Sequence, residues 1–147
     1  DGYRAVAFGL LVNTYLKYLS KEYVYMPPTC SCAATSAPAA AAGVAFLHGL
    51  NPKQINDMLC TSMIHMAGVV CDGAKPSCAF RMFTSLFGCL EAMMMAERGI
   101  RASNVEGFVH NDIKVTVENL YRLQHDVLHN KVDAILWDIV KEQKVIH

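Results

Sequence analysis

Apolar residues recur at helical spacing through most of this chain, and a few proline- and glycine-marked stretches interrupt them. AVAFGLLVNTYLKYL, residues 5 to 19, has apolar positions three and four apart and no proline, which predicts a helix. MPPTCSC, residues 26 to 32, is a break. Its prolines disfavour helix, and the residue before each is pushed toward extended backbone. AAAAGVAFLHGL follows as a tightly packed helix whose small side chains admit close backbone approach, with Gly49 as its stop. In NPKQ, Asn51 can cap, Pro52 suits the first helical position and Gln54 can complete a capping box. This predicts a helix from Pro52 to about Met66.

CDGAKPSC, residues 71 to 78, breaks the pattern again. From about Ser77 a long helix runs to Arg98. Gly99 ends it, and Ile100 can fold back on Met95 as in a Schellman stop. RASNVEGFVHND, residues 101 to 112, reads as a loop. Two final helices are expected, Ile113 to His125 and Lys131 to Lys144. The second carries Val132, Ile135, Leu136, Ile139 and Val140 on one stripe, with Trp137 beside it. The fold class is therefore all-α, with about six helices and a buried central helix after the CDGAKPSC loop. The 147 residues suit one helical domain spanning 1–147. The chain starts at Asp1 rather than methionine, which is compatible with a part of a longer protein.

Composition narrows the function classes. Thirteen basic residues balance thirteen acidic ones, so no bulk charge draws nucleic acid or anionic lipid. With 53% hydrophobic and 18% charged residues, a chain of this size has more apolar surface than one core hides. A large interface is expected, with a second copy or with a missing domain or subunit. CAFRMFTSLFGCLEAMMMA, residues 78 to 96, contains Arg81 and Glu91, so it reads as a core helix rather than a membrane span. The expectation is a cytoplasmic protein.

Six cysteines stand at 30, 32, 60, 71, 78 and 89. Without a secretory signal, such cysteines are more often free, ligating or catalytic than paired. Cys60 and Cys89 fall inside expected helices and read as small buried hydrophobes. Cys71 and Cys78 flank a loop with Gly73 and Pro76, between the end of one helix and the start of the next. A helix start lowers thiol pKa, and Lys75 adds positive charge nearby. Two thiolates so placed are good metal or cluster ligands, and Cys30 or Cys32 can supply a third. The plainer alternative is a loop that merely contains cysteine. The spacing matches neither common ferredoxin run nor the short paired spacing of zinc sites. His48, His110, His125, His129 and His147 read as helix-end, surface or loop positions. Met93, Met94 and Met95 read as core or interface.

CSCAATSAPAAAAGVAFLHGL, followed by MAGVVCDGAKPSCAFR, resembles the α-chain of iron–sulfur L-serine dehydratases, nearest to their L-cysteine desulfidase-like branch. NVEGFVHNDIKVTVENLYRL is similar to that family's closing segment. The resemblance spans roughly residues 30 to 145. Thr35, Ser36 and Pro38 depart from it, standing where the family is usually richer in glycine. It implies a [4Fe–4S] cluster held by Cys71, Cys78 and one of Cys30 or Cys32, with Cys30 favoured. It also implies α,β-elimination from L-serine or L-cysteine, with an open iron as Lewis acid. His65, six residues before Cys71, is the implied base, and Lys75 and Asp72 are implied contacts for the amino-acid substrate. The other reading is a non-catalytic helical assembly domain that keeps the family scaffold, and a zinc-binding helical domain is a third.

Overall fold

A computed structural model describes residues 1–20, 29–71, 75–102, 104, 107–128, 131, 134–135, 138–139 and 141–142; the side chains of 127 and 128 are outside the description. It is all-α. The order is α1 (Gly2–Ser20), a π-helical turn (Cys32–Ser36) running into α2 (Ala37–Leu47), α3 (Pro52–Met66), α4 (Cys78–Glu97) and α5 (Ile113–Leu123), which ends in a second π turn (Gln124–Leu128). Most of the expected last helix, with its Val132, Leu136, Trp137 and Val140 positions, lies outside the described residues.

Local sequence explains the ends of these elements. At α3 the Asn51 side chain accepts from the Gln54 N–H at 3.0 Å, and the Gln54 side chain accepts from the Asn51 N–H at 3.0 Å. Two orphan donors are satisfied reciprocally, and Pro52 fills a position whose N–H would have no partner. Gly49 and Gly99 both take positive φ, 76° and 72°, where a Cβ would be strained. After α4 the Ile100 N–H reaches back to the Met95 carbonyl at 2.9 Å, and Gly99 N–H to Ala96 at 3.1 Å, closing the Schellman stop. Asp112 caps α5 by accepting from the Lys114 N–H at 2.8 Å.

The core is built from small residues and methionines. Ala33, Ala37, Ala41, Ala42 and Ala45 are fully or almost fully buried, as are Met58, Met63, Leu16 and Leu120. Two glycines let α1 and α2 cross at backbone contact. A Cβ on Gly43 would stand 2.9 Å from the Ala5 carbonyl oxygen, and one on Gly9 would stand 3.0 Å from that of Ala39. Phe8 stacks on Phe46 at one side of the crossing, with centroids 5.3 Å apart. Asn56 ties α3 to α5. It donates to the Asn111 carbonyl at 2.7 Å and accepts from the Ile113 N–H at 3.0 Å.

α4 packs on α2 and α3, so it is central as expected, but its burial is one-sided. Ser85, Cys89, Ala92, Met93 and Ala96 face inward. Phe80, Phe83, Phe87 and Met94 are exposed, Phe80 by 77%. By length and composition α4 is the one helix among the described residues apolar enough to cross a membrane. α1 likewise leaves Tyr3, Val6, Leu10 and Tyr18 outside, beside an apolar groove of about 950 Å³ between α1 and α2.

Candidate functional site

The two irregular segments flagged by their prolines meet in space. Thr29 and Val70 form an antiparallel bridge, and the Cys30 N–H donates to the Val69 carbonyl at 2.7 Å. This pairing brings the Cys-x-Cys segment against the residues that enter the CDGAKPSC loop. Arg81, one turn into α4, donates from Nη1 to the Val70 carbonyl at 2.6 Å and ties α4 to the bridged residue. From sequence alone Arg81 is only a charge inside an apolar helix, and its anchoring role leaves no signal there.

The helix that follows Cys30 does not open as an ordinary α-helix. Residues Cys32–Ser36 form a π turn, in which the Ala37 N–H reaches the Cys32 carbonyl. Thr35 donates to the Ser31 carbonyl at 2.7 Å. π turns are rare and concentrate at functional sites. Here the turn carries Cys32 at its start.

The result is a gathering of four thiols. Cys30 is buried, Cys71 and Cys78 are half-buried, and Cys32 is exposed. The Cys32 thiol is pushed above its ordinary value, chiefly by partial burial and then by the neighbouring Cys30, Cys78 and Cys71 thiols and a hydrogen bond with Cys30. At the mouth of α4 the Lys75 backbone N–H points at the Cys78 sulfur, 3.4 Å away. All six cysteines are free thiols.

The remaining site residues fall less closely together. Lys75 is exposed in the loop. Asp72 lies outside the described residues. His65 is exposed at the end of α3, with its Cβ and Cγ packed 3.5–3.6 Å from where a Gly88 Cβ would stand. Gly88 is ten residues beyond Cys78, about 15 Å along the α4 axis at helical rise. Cys60 and Cys89 are deep in the core, and burial pushes Cys89 up to about 11. His48 pairs with Glu97, Nδ1 to Oε1 3.3 Å, at the end of α2.

Residues 3–136 match the serine dehydratase alpha chain family. The chain belongs to that family. Among curated relatives, a UPF0597 protein of Clostridium botulinum is 34% identical over 139 residues, which is 95% of this chain and 31% of the relative. UPF0597 proteins of Desulfatibacillum aliphaticivorans and Caldanaerobacter subterraneus subsp. tengcongensis are 27% and 29% identical, over 95% of this chain and 31% and 32% of theirs. The chain therefore spans about a third of the length of these relatives. No solved structure matches it. Family membership is consistent with a dehydratase-related role.

The donor chemistry can be set against the groups such a family implies. Thiols are soft donors suited to zinc or iron–sulfur. Among the described residues, no three His, Cys, Asp or Glu side chains are grouped so as to hold a metal ion. The four thiols thus share a neighbourhood without enclosing one ion. Thiols are the right donor type for either group, but the arrangement of the described residues marks out neither.

Proposed function

We propose that this chain is the cluster-holding part of a lyase that removes water from L-serine, or sulfide from L-cysteine, to leave pyruvate and ammonia. The observation that carries the reading is the meeting of Cys30 and Cys32 with Cys71 and Cys78 in a serine dehydratase alpha chain. Cys71, Cys78 and Cys30 would hold a [4Fe–4S] cluster. When bound, a cluster with three protein thiolates supplies a Lewis-acidic iron that loosens a β-hydroxyl or β-thiol.

The chain's own residues would do the rest. The bridge at Thr29 and Val70 fixes Cys30 opposite the loop, and Arg81 holds that bridge in place. Lys75 would meet the substrate carboxylate, and Asp72 its ammonium group. His65 would take the α-proton, since imidazole exchanges protons near neutral pH. An oxygen-sensitive cluster suits a reducing cytoplasm.

A second reading is a helical assembly module without turnover. The exposed apolar faces of α1 and α4 favour it. In either reading those faces are covered by a second copy or by another domain or subunit.

The test is iron and acid-labile sulfide on protein purified without oxygen, followed by pyruvate formation from L-serine and L-cysteine. About four irons per chain with turnover would support the lyase. No iron after anaerobic reconstitution would leave the assembly reading. His65→Gln should keep the cluster and lower kcat; an unchanged kcat would remove His65 as the base.

A further inference from the structure

Two apolar features of opposite shape are left outside the core. One is a ridge on α4. Phe80, Phe83 and Phe87 recur three and four residues apart, so they line up on one face, and all three are exposed. The Phe83 and Phe87 rings touch, with centroids 4.7 Å apart. From Phe80 to Phe87 the ridge is about 10 Å long at helical rise. The other feature is the groove between α1 and α2, which follows α1 from Gly2 to Asn13, about 16 Å at the same rise. The small residues Gly9, Ala39 and Gly43 line it, together with the exposed Tyr3, Val6 and Leu10. Its volume of about 950 Å³ is that of a pocket that takes a whole small molecule, which is room for several aromatic rings.

The areas also match. Three exposed phenylalanines offer on the order of 400 Å², and Tyr3, Val6 and Leu10 offer about the same. Covering both features takes about 800 Å² from each copy, which is the share per partner in an interface of standard size. Thirteen acidic against thirteen basic residues leave no net charge to hold copies apart. We propose that the occupant of the groove is the α4 ridge of a second copy of this chain. Ridge and groove lie on different elements, so every copy carries both halves of the contact. The assembly closes when each ridge is seated, and a pair that exchanges ridges is the smallest such assembly. The contact uses no residue of the thiol segments, so it stands whether or not the chain holds a cluster.

Sedimentation velocity on the whole chain tests the pairing, at about 50 μM because interfaces of this size span a wide range of affinities. The variants are Phe83→Lys on the ridge and Leu10→Glu in the groove. Both residues are exposed, so neither change enters the core, and circular dichroism checks the fold. Phe83→Ser and Leu10→Ser replace any charged variant that fails that check. Native chain is expected to sediment as a dimer or larger closed assembly, and each variant alone as a monomer. The two variants mixed in equal amounts are expected to associate. One native ridge then meets one native groove, and the introduced ammonium and carboxylate face each other at the second contact. A native chain that sediments as a monomer would overturn the pairing and leave both faces to another domain or subunit. Either variant assembling by itself would overturn it too, as would two monomeric variants that stay monomeric when mixed.

Discussion

The middle and the start of α2 are held by different physics. Near its middle, α2 meets α1 at Gly43 and Gly9, where backbones touch and an added Cβ would stand 2.9–3.0 Å from a carbonyl oxygen. That contact is steric, continuous along several turns and independent of any bound group. At its start, the π turn and the thiols are held by one bridge, the Cys30–Val69 hydrogen bond and the Arg81 anchor. The first region is a rigid frame. The second joins a π turn whose Ala33, Ala34 and Thr35 are buried in the core to the entry of an irregular loop, and a few polar contacts make that join. The lesson is that frame and site should be separable by mutation.

The sharpest separation comes from Cys71→Ser. It should lose all bound iron and all turnover while the urea midpoint of the cluster-free chain stays unchanged. A large drop in that midpoint would show that the loop thiols also hold the frame. Gly43→Val is the converse. Forcing a branched side chain against the Ala5 carbonyl should cost about 3 kcal/mol in urea unfolding, while a reconstituted cluster keeps its native spectrum. If the spectrum changes, the crossing and the site are mechanically coupled.

Next in size is a pH effect confined to the frame. Burial raises the Cys89 thiol from 9.0 to about 11. Between those values the folded state binds the proton that the unfolded state has released. The contribution is therefore fully present below pH 9 and lost as pH climbs toward 11, by up to about 2 kcal/mol. Cys89→Ala should flatten this part of the stability–pH curve, with unfolding at pH 8 and pH 10.5 as the measurement. Smallest is Asn51→Ala. It removes the cap and half of the capping box at α3 and should cost about 1 kcal/mol without touching iron content.

Much of the frame could be read from the chain because its signals are local. Asn51, Pro52 and Gln54 satisfy each other's backbone groups within one turn, so the start of α3 follows from four residues. Gly99 and Ile100 end α4 for the same reason. α4 was harder to read. Its apolar length suggested a buried helix, yet Phe80, Phe83 and Phe87 face outward. Periodicity reports that a face is apolar, not whether anything covers it. The opening of α2 was missed altogether, because a π turn is a choice among nearly equal backbone states that side-chain pattern does not encode.

The cysteines divide in the same way. Their types and their place at two helix entries are properties of the sequence, and so is the match to the serine dehydratase alpha chain. That the Cys-x-Cys segment lies against the entry of the CDGAKPSC loop depends on a bridge between residues 41 apart, Thr29 and Val70. The place of His65 beside Gly88 depends in turn on the packing of α3 on α4. Capping and turn chemistry act within a few residues and are written locally. Which thiols meet, and which face of α4 stays open, is settled only when distant segments pack, because that packing trades backbone hydrogen bonds and buried area across the whole chain.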